Sequence, residues 1–124
     1  MLDKEFSLYI RLKYSDENGY CRCITCGTVR KWNDIDNGHF ITRDKKATRF
    51  DERNCRPQCK FCNNHKKGEQ YKFAIALIEI YGREEIEDLE RLASIGGGYC
   101  AIQLAELIKE YRIKVKELKK EKGL

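Results

Sequence analysis

Proline occurs once in the 124 residues, at Pro57, and no stretch is rich in glycine and serine. A proline-rich recognition tail and a long flexible linker are therefore excluded, and Gly96-Gly97-Gly98 is the nearest approach to a linker. No apolar run reaches the roughly 20 residues that cross a bilayer as a helix. The first residues, Met1-Leu2-Asp3-Lys4-Glu5, lack the basic-then-apolar layout of a secretory leader. A cytoplasmic protein with no membrane contact is expected. Charge of one sign is lacking too: 25 Lys and Arg face 20 Asp and Glu, and a net +5 is too small to argue for nucleic acid by itself.

What is present begins with seven cysteines. An odd number, with two Cys-x-x-Cys pairs and no leader, points to thiolates on a metal rather than to disulfides. Cys23 and Cys26, then 32 residues, then Cys59 and Cys62 fit a tetrahedral structural zinc site whose four ligands leave no position for water. A short chain with 36% charged residues has a limited apolar core, and zinc supplies the missing staple. Cys21, Cys55 and Cys100 lie outside the pairs and read as small buried residues, with Cys21 or Cys55 as an alternative ligand.

Periodicity divides the chain into three parts. Residues 1–20 carry a short amphipathic helix with Phe6, Tyr9, Ile10 and Lys13 on one face. Residues 21–82 hold the first knuckle, then strands over 28–42 and 48–50 joined by the charged loop Arg43-Asp44-Lys45-Lys46. The second knuckle follows and opens a helix, and after it comes a helix spaced by Tyr71, Ala74, Ile75, Ile78 and Tyr81 and ended by Gly82. Residues 83–124 give a helix over Arg83–Ala93 and a heptad-spaced helix over 99–122, with Ala101, Leu104, Ile108, Tyr111, Val115 and Leu118 on the seam. That seam is expected to pack on its own domain, and a homodimer contact is the alternative.

Both histidines fall between or just after the two cysteine pairs. Asp36-Asn37-Gly38-His39 ends a predicted strand, Asn54 precedes the second cysteine pair, and Asn63 directly follows its last cysteine. A histidine at a strand end, opposite a helix that carries Asn63, is a candidate for chemistry. His65 stands two positions beyond Asn63, off its helical face, and is read as solvated. From Ile41 to Lys67 nine Lys and Arg face three Asp and Glu, a local +6 that leaves −1 for the rest of the chain. Arg43, Lys45, Lys46 and Arg49, with Lys66 and Lys67, form either a solvated face or, given their position beside the candidate site, a set of contacts to DNA phosphates. No series of stacking aromatics stands out.

Taken together, these residues resemble the NinG/Rap family of phage recombination nucleases, within the HNH (ββα-metal) superfamily. The resemblance rests on Phe6 with Tyr9-Ile10-Arg11-Leu12, on Cys23-Ile24-Thr25-Cys26-Gly27, and on Asp36-x-Gly38-His39-Phe40. It continues through Arg49-Phe50, Asn54, Gln58-Cys59-x-x-Cys62-Asn63, Gly68 and Tyr71. It runs from Leu2 to about Leu92, with the final helix outside it. The resemblance implies an α+β fold with a small zinc-stapled treble-clef core (knuckle, β-hairpin, helix) surrounded by helices. It implies a metal-dependent DNA endonuclease in which His39 takes a proton from the attacking water and Asn54 fixes the loop that orients His39. Asn63 and Asp36 would bind a catalytic Mg2+ or Mn2+ ion, Asp36 because the residue before His39 is Gly38. The products would be 5′-phosphate and 3′-hydroxyl ends, and the substrate branched recombination DNA such as Holliday junctions or D-loops. The competing expectation is a non-catalytic zinc-binding adaptor for DNA or protein.

Overall fold

The computed structural model describes residues 1–124, and the apolar spacing of the first thirteen folds them into α1 (Leu2–Lys13). Two short antiparallel hairpins follow: β1 (Tyr20–Arg22) with β2 (Val29–Lys31), then β3 (Asp36–His39) with β4 (Cys55–Gln58). A π-helical turn (Phe61–His65) leads to α2 (Gln70–Tyr81), α3 (Arg83–Ile95) and α4 (Ala101–Lys122). The architecture is α+β, with two separate two-stranded sheets among four helices.

The largest apolar cluster joins the two ends of the chain. α1 buries Leu2, Phe6, Ile10 and Leu12, and α4 covers them with Tyr111 and Val115. Leu104, Ile108 and Leu118 of the heptad seam pack on the same cluster, so the seam is occupied within the chain. The Phe6 and Tyr111 rings meet edge to face at 5.0 Å, worth about 1 kcal/mol beyond area burial. Contacts advance together along both helices: Arg112 reaches Glu5 at 3.6 Å, and Lys122 Nζ donates to the carbonyls of Leu12 at 2.7 Å and Ser15 at 2.6 Å. The two helices therefore run parallel, and the Lys122 ammonium sits on the negative end of α1.

A second cluster sets Phe73 and Leu77 of α2 against Ile86 and Leu89 of α3, with Phe40 at its edge. The sequence spacing places α2 correctly and its face only in part: Ile78 and Tyr81 pack against the cluster, but Tyr71 is 79% exposed and Ile75 is 42% exposed. Apolar residues recur on both sides of this helix, so periodicity fixes the helix without fixing which side turns inward.

The strands also differ from expectation. Residues 28–42 break into β2, a 3-10 turn (Trp32–Asp34) and β3, and residues 48–50 form turns rather than a strand. The partner of β3 is Cys55–Gln58, in a register that sets Asp36 opposite Gln58 and His39 opposite Cys55. Pro57 sits in this strand, which pairs on one edge only, where a missing N–H is tolerated. The expected helix after the second knuckle is one π-helical turn, because Lys67 and Glu69 adopt left-handed backbone (φ 53° and 48°) and stop it before α2.

One 3-10 turn, Glu52–Asn54, ties these parts together. Glu52 accepts hydrogen bonds from Tyr9 (3.1 Å), Lys13 (3.0 Å) and Tyr111 (3.0 Å), which joins it to both α1 and α4. Arg53 pairs with Glu85 at 2.7 Å and Asp88 at 3.0 Å on α3. Asn54 is fully buried and holds the loop before it. Partial burial works to raise the Glu52 pKa, but the bonds from Lys13, Tyr111 and Tyr9 prevail and hold it below the ordinary glutamate value. A depressed carboxylate pKa gives stability that is present above the unfolded-state pKa and lost as pH falls through the folded one. Glu52→Gln is expected to cost about 1–2 kcal/mol at pH 7 and to weaken the acid-side loss of stability. Urea unfolding of both proteins from pH 3 to 7 checks this, and parallel pH profiles would refute it.

Candidate functional site

The four cysteines of the two pairs converge. Their sulfurs lie within 4.8 Å of one another, and Cys26 Sγ is 3.7 Å from Cys59 Sγ. A zinc tetrahedron with bonds of about 2.3 Å has edges of about 3.8 Å, so the donor set and its spacing fit the ion. Local sequence produces each corner. Gly27 takes φ +79°, where a side chain would be strained, and its N–H returns to the Cys23 carbonyl at 2.9 Å. At the second corner the Cys62 N–H points at Cys59 Sγ (3.5 Å) and the Asn63 N–H at the Cys59 carbonyl (2.9 Å). Neither Cys21 nor Cys55 joins the cluster; both are buried elsewhere, and Cys21 donates to the Arg11 carbonyl at 3.1 Å. Cys100, expected to be buried, is exposed at the start of α4.

Beside the cluster lies a polar cavity of about 380 Å³ lined by Asp36, His39 and Asn63. β3 carries Asp36 and His39, and the π-helical turn carries Asn63. Asp36 Oδ1 accepts from Lys60 Nζ at 2.8 Å, and its Oδ2 accepts from Asn63 Nδ2 at 3.0 Å. The glycine before His39 has a local cause: a Cβ on Gly38 would stand 2.5 Å from Gln58 Oε1 and 2.7 Å from Gln58 Cβ. Gln58 in turn ties the first knuckle to the segment after the π-helical turn, donating to Thr25 Oγ1 at 3.2 Å and to the Gly68 carbonyl at 2.8 Å.

His39 is half-buried, and its Nε2 lies 3.0 Å from the Arg49 carbonyl. A carbonyl only accepts, so Nε2 carries the proton and Nδ1 keeps a free lone pair. Burial lowers the His39 pKa below its ordinary value, helped by the charge of Arg43 and opposed by the Arg49 carbonyl. The ring is neutral at pH 7. Asn54 organises the loop that presents this carbonyl: its Nδ2 donates to the carbonyls of Ile41 (3.0 Å) and Thr48 (3.1 Å), and its Oδ1 accepts from the Ile41 N–H (2.8 Å). The asparagine thus lies outside the cavity and behind the loop.

The basic residues separate by location. Arg43 lines the cavity, and Lys45 and Lys46 are exposed on the same loop. Arg49 does not stand free: its Nε donates to Asp3 Oδ1 at 2.9 Å, in a pair with α1. Lys66 and Lys67 are exposed beyond the π-helical turn and do not line the cavity, and His65 is exposed as expected. Sequence reasoning missed the contributions of Lys60 and Arg11 to the cavity wall. Lys60 lies inside the Cys59-x-x-Cys62 spacing. Arg11 reaches the cavity only because its guanidinium bridges α1 to the Trp32 carbonyl at 2.9 Å.

Two hairpins beside a four-cysteine cluster that could hold a metal ion such as zinc, with an imidazole, a carboxylate and a carboxamide around one cavity, define a small α+β protein. A family model described as Bacteriophage Lambda NinG protein matches residues 1–121, and the chain belongs to that family. The match includes α4, which the sequence resemblance had left outside. Protein ninG of Escherichia phage lambda is 35% identical over 101 residues, covering 78% of this chain and 47% of that protein. Protein ninG of Escherichia phage 933W is 39% identical over 71 residues, covering 55% of this chain and 34% of that protein. Protein ninG of Salmonella phage P22 is likewise 39% identical over 71 residues. The chain spans less than half the length of these relatives. No solved structure matches it. No helix is long and apolar enough to cross a membrane.

Two measurements check this geometry. Metal analysis is expected to give one zinc per chain, and Cys59→Ser to lose both the zinc and cooperative unfolding, since structural zinc contributes on the order of 10 kcal/mol. A folded, zinc-free protein would overturn the staple. Asn54→Ala is expected to cost about 1–3 kcal/mol and to speed amide exchange at Ile41, while the exchange of the α2 amides stays slow. Unchanged exchange at Ile41 would remove Asn54 as the clamp.

Proposed function

We propose that this chain is a metal-dependent DNA endonuclease of the HNH kind, with β3, β4 and the π-helical turn as a reduced ββα-metal core of treble-clef type. The observation that carries the reading is the free Nδ1 of a neutral His39 in the same cavity as Asp36 and Asn63. Zinc among the thiolates serves as the staple and takes no part in the reaction.

The donors for a second ion are oxygens, which favour Mg2+ or Mn2+ over zinc. The 3.0 Å between Asp36 Oδ2 and the Asn63 amide is close to the roughly 2.9 Å edge of a magnesium octahedron. Rotation of that amide by half a turn places its oxygen next to the carboxylate. Asp36 and Asn63 would hold the ion, with Lys60 moved aside. When bound, it supplies charge stabilisation for the phosphate and the leaving 3′ oxygen.

The residues of the chain divide the remaining work. His39 Nδ1 removes a proton from water as the water oxygen attacks phosphorus; the bond from phosphorus to the 3′ oxygen breaks, leaving 5′-phosphate and 3′-hydroxyl ends. Asn54 holds the loop whose Arg49 carbonyl fixes the ring. Arg43 and Lys60 on the cavity wall, with Lys45 and Lys46 nearby, meet the DNA backbone and give salt-sensitive binding that is largely independent of sequence. Branched recombination DNA is the proposed substrate, by family likeness.

A plasmid-nicking assay with Mg2+ or Mn2+ tests the reading on linear, forked and four-way DNA. His39→Ala is expected to lower the rate by about 10²-fold or more with the fold and the zinc retained. Because the base acts when neutral, the wild-type rate rises with pH through a His39 pKa below the ordinary histidine value and levels off by pH 7. Equal cutting by both proteins would remove His39 from the mechanism. Absence of cutting on every substrate and with either metal would favour a non-catalytic zinc-binding adaptor.

A further inference from the structure

A second cavity, of about 330 Å³, lies over the four-cysteine cluster and shares no residue with the first. The π-helical turn serves both: Asn63 lines the catalytic cavity, and Phe61 lines this groove. Phe61 is 57% exposed and belongs to none of the apolar clusters. Its ring leans on His65 with centroids 5.4 Å apart and planes 32° apart, and Lys66 Nζ stands 5.7 Å from its centroid. Two exposed aromatic rings and an ammonium thus form one tilted platform on a turn anchored by the metal ligands Cys59 and Cys62.

The charges of the groove indicate what that platform can receive. Arg30, Lys66 and Lys72 line it, and none of them forms an ion pair. A doubly charged ion on four thiolates leaves −2, so these three cations balance the cluster together with Glu69. A groove without net charge neither captures nor repels a phosphate strongly, and a flat uncharged π system is what its exposed ring recognises. A nucleobase is such a group, and stacking on an aromatic side chain accepts any base. In an intact duplex both faces of each base are covered by its neighbours. Only a base that has left the stack can reach Phe61.

We propose that this groove seats an unpaired nucleobase on Phe61, so that the protein engages DNA where a strand departs from the duplex. The groove lies directly across the π-helical turn from Asn63, which sets the departing strand beside the point of attack. The inference rests on the nuclease reading for its ligand, DNA, and it gives that reading a physical source of preference for branches.

The test uses the full zinc-loaded chain without added Mg2+ or Mn2+, and binding is followed by anisotropy. One probe is a forked oligonucleotide with 2-aminopurine as the first unpaired base; the other is a linear duplex with the same base paired. Wild type is expected to quench the fork and not the duplex. Phe61→Ala and Phe61→Leu are expected to lose the quenching and to weaken fork binding on the order of tenfold. Duplex affinity and the salt dependence of binding should stay unchanged, because stacking releases no counterions. Phe61→Trp is expected to retain both fork affinity and quenching. The leucine variant keeps an apolar cover over the cluster, so it separates stacking from folding if the alanine variant loses zinc. Equal loss on fork and duplex, no loss on either, or fork binding by Phe61→Leu as tight as wild type would overturn the proposal. The two readings fail separately. A wild type that stacks the forked base but cuts nothing removes the nuclease, and one that cuts while Phe61 variants bind forks normally removes the base seat.

Discussion

Three consecutive side chains in the Glu52–Asn54 turn hold the structure in one arrangement, and most of what lies around the cavity depends on them. Glu52 is the acceptor that α1 and α4 share, Arg53 is the cation that α3 meets, and Asn54 replaces backbone partners for the loop in front of it. Each is a polar group drawn at least partly out of water, and each is stable there because its partners are complete. The turn also leads directly into β4, whose pairing with β3 sets His39 against Cys55. α1, α3, α4, the β3–β4 hairpin and the loop before it therefore share one fixed reference point.

The cysteine cluster provides a second and independent constraint. It joins the first knuckle to the second across 32 residues of sequence, and the π-helical turn Phe61–His65 contains its last cysteine, Cys62. That turn brings Asn63 within hydrogen-bonding distance of Asp36. Preorganisation of this kind is what a site needs when the groups that act are few and small. His39 shows it most directly: one ring nitrogen is fixed by a main-chain carbonyl, and burial keeps the other free of a proton at neutral pH.

Much of this was legible in the sequence, and the reasons for the rest are specific. Ligand spacing is local chemistry, so the cysteine cluster could be read from Cys23, Cys26, Cys59 and Cys62 alone. The helices followed from period, and the heptad residues of α4 do form a seam. The partner of β3 could not be read, since strand pairing between residues 36–39 and 55–58 is non-local and Pro57 argues against a strand. The inward face of α2 was ambiguous because Tyr71 and Ile75 carry as much apolar surface as Phe73 and Leu77. Arg49 looked like a free cation in a basic run, and only the distant Asp3, brought close by α1, occupies its guanidinium. Lys60 on Asp36 and Arg11 on the cavity wall have the same origin, a contact made between separate segments.

The parallel pairing of α1 with α4 has a consequence for how the protein comes to be made. The apolar stripe of Leu2, Phe6 and Ile10 is synthesised well before the residues that cover it, Tyr111 and Val115, which are about a hundred positions behind. Contacts so far apart in sequence close slowly. Until α4 is made the nascent chain thus carries an uncovered apolar stripe, and the middle with its four cysteines can fold before that stripe is sheltered. Handling by chaperones, and growth temperature, should therefore weigh heavily on the yield of this fold.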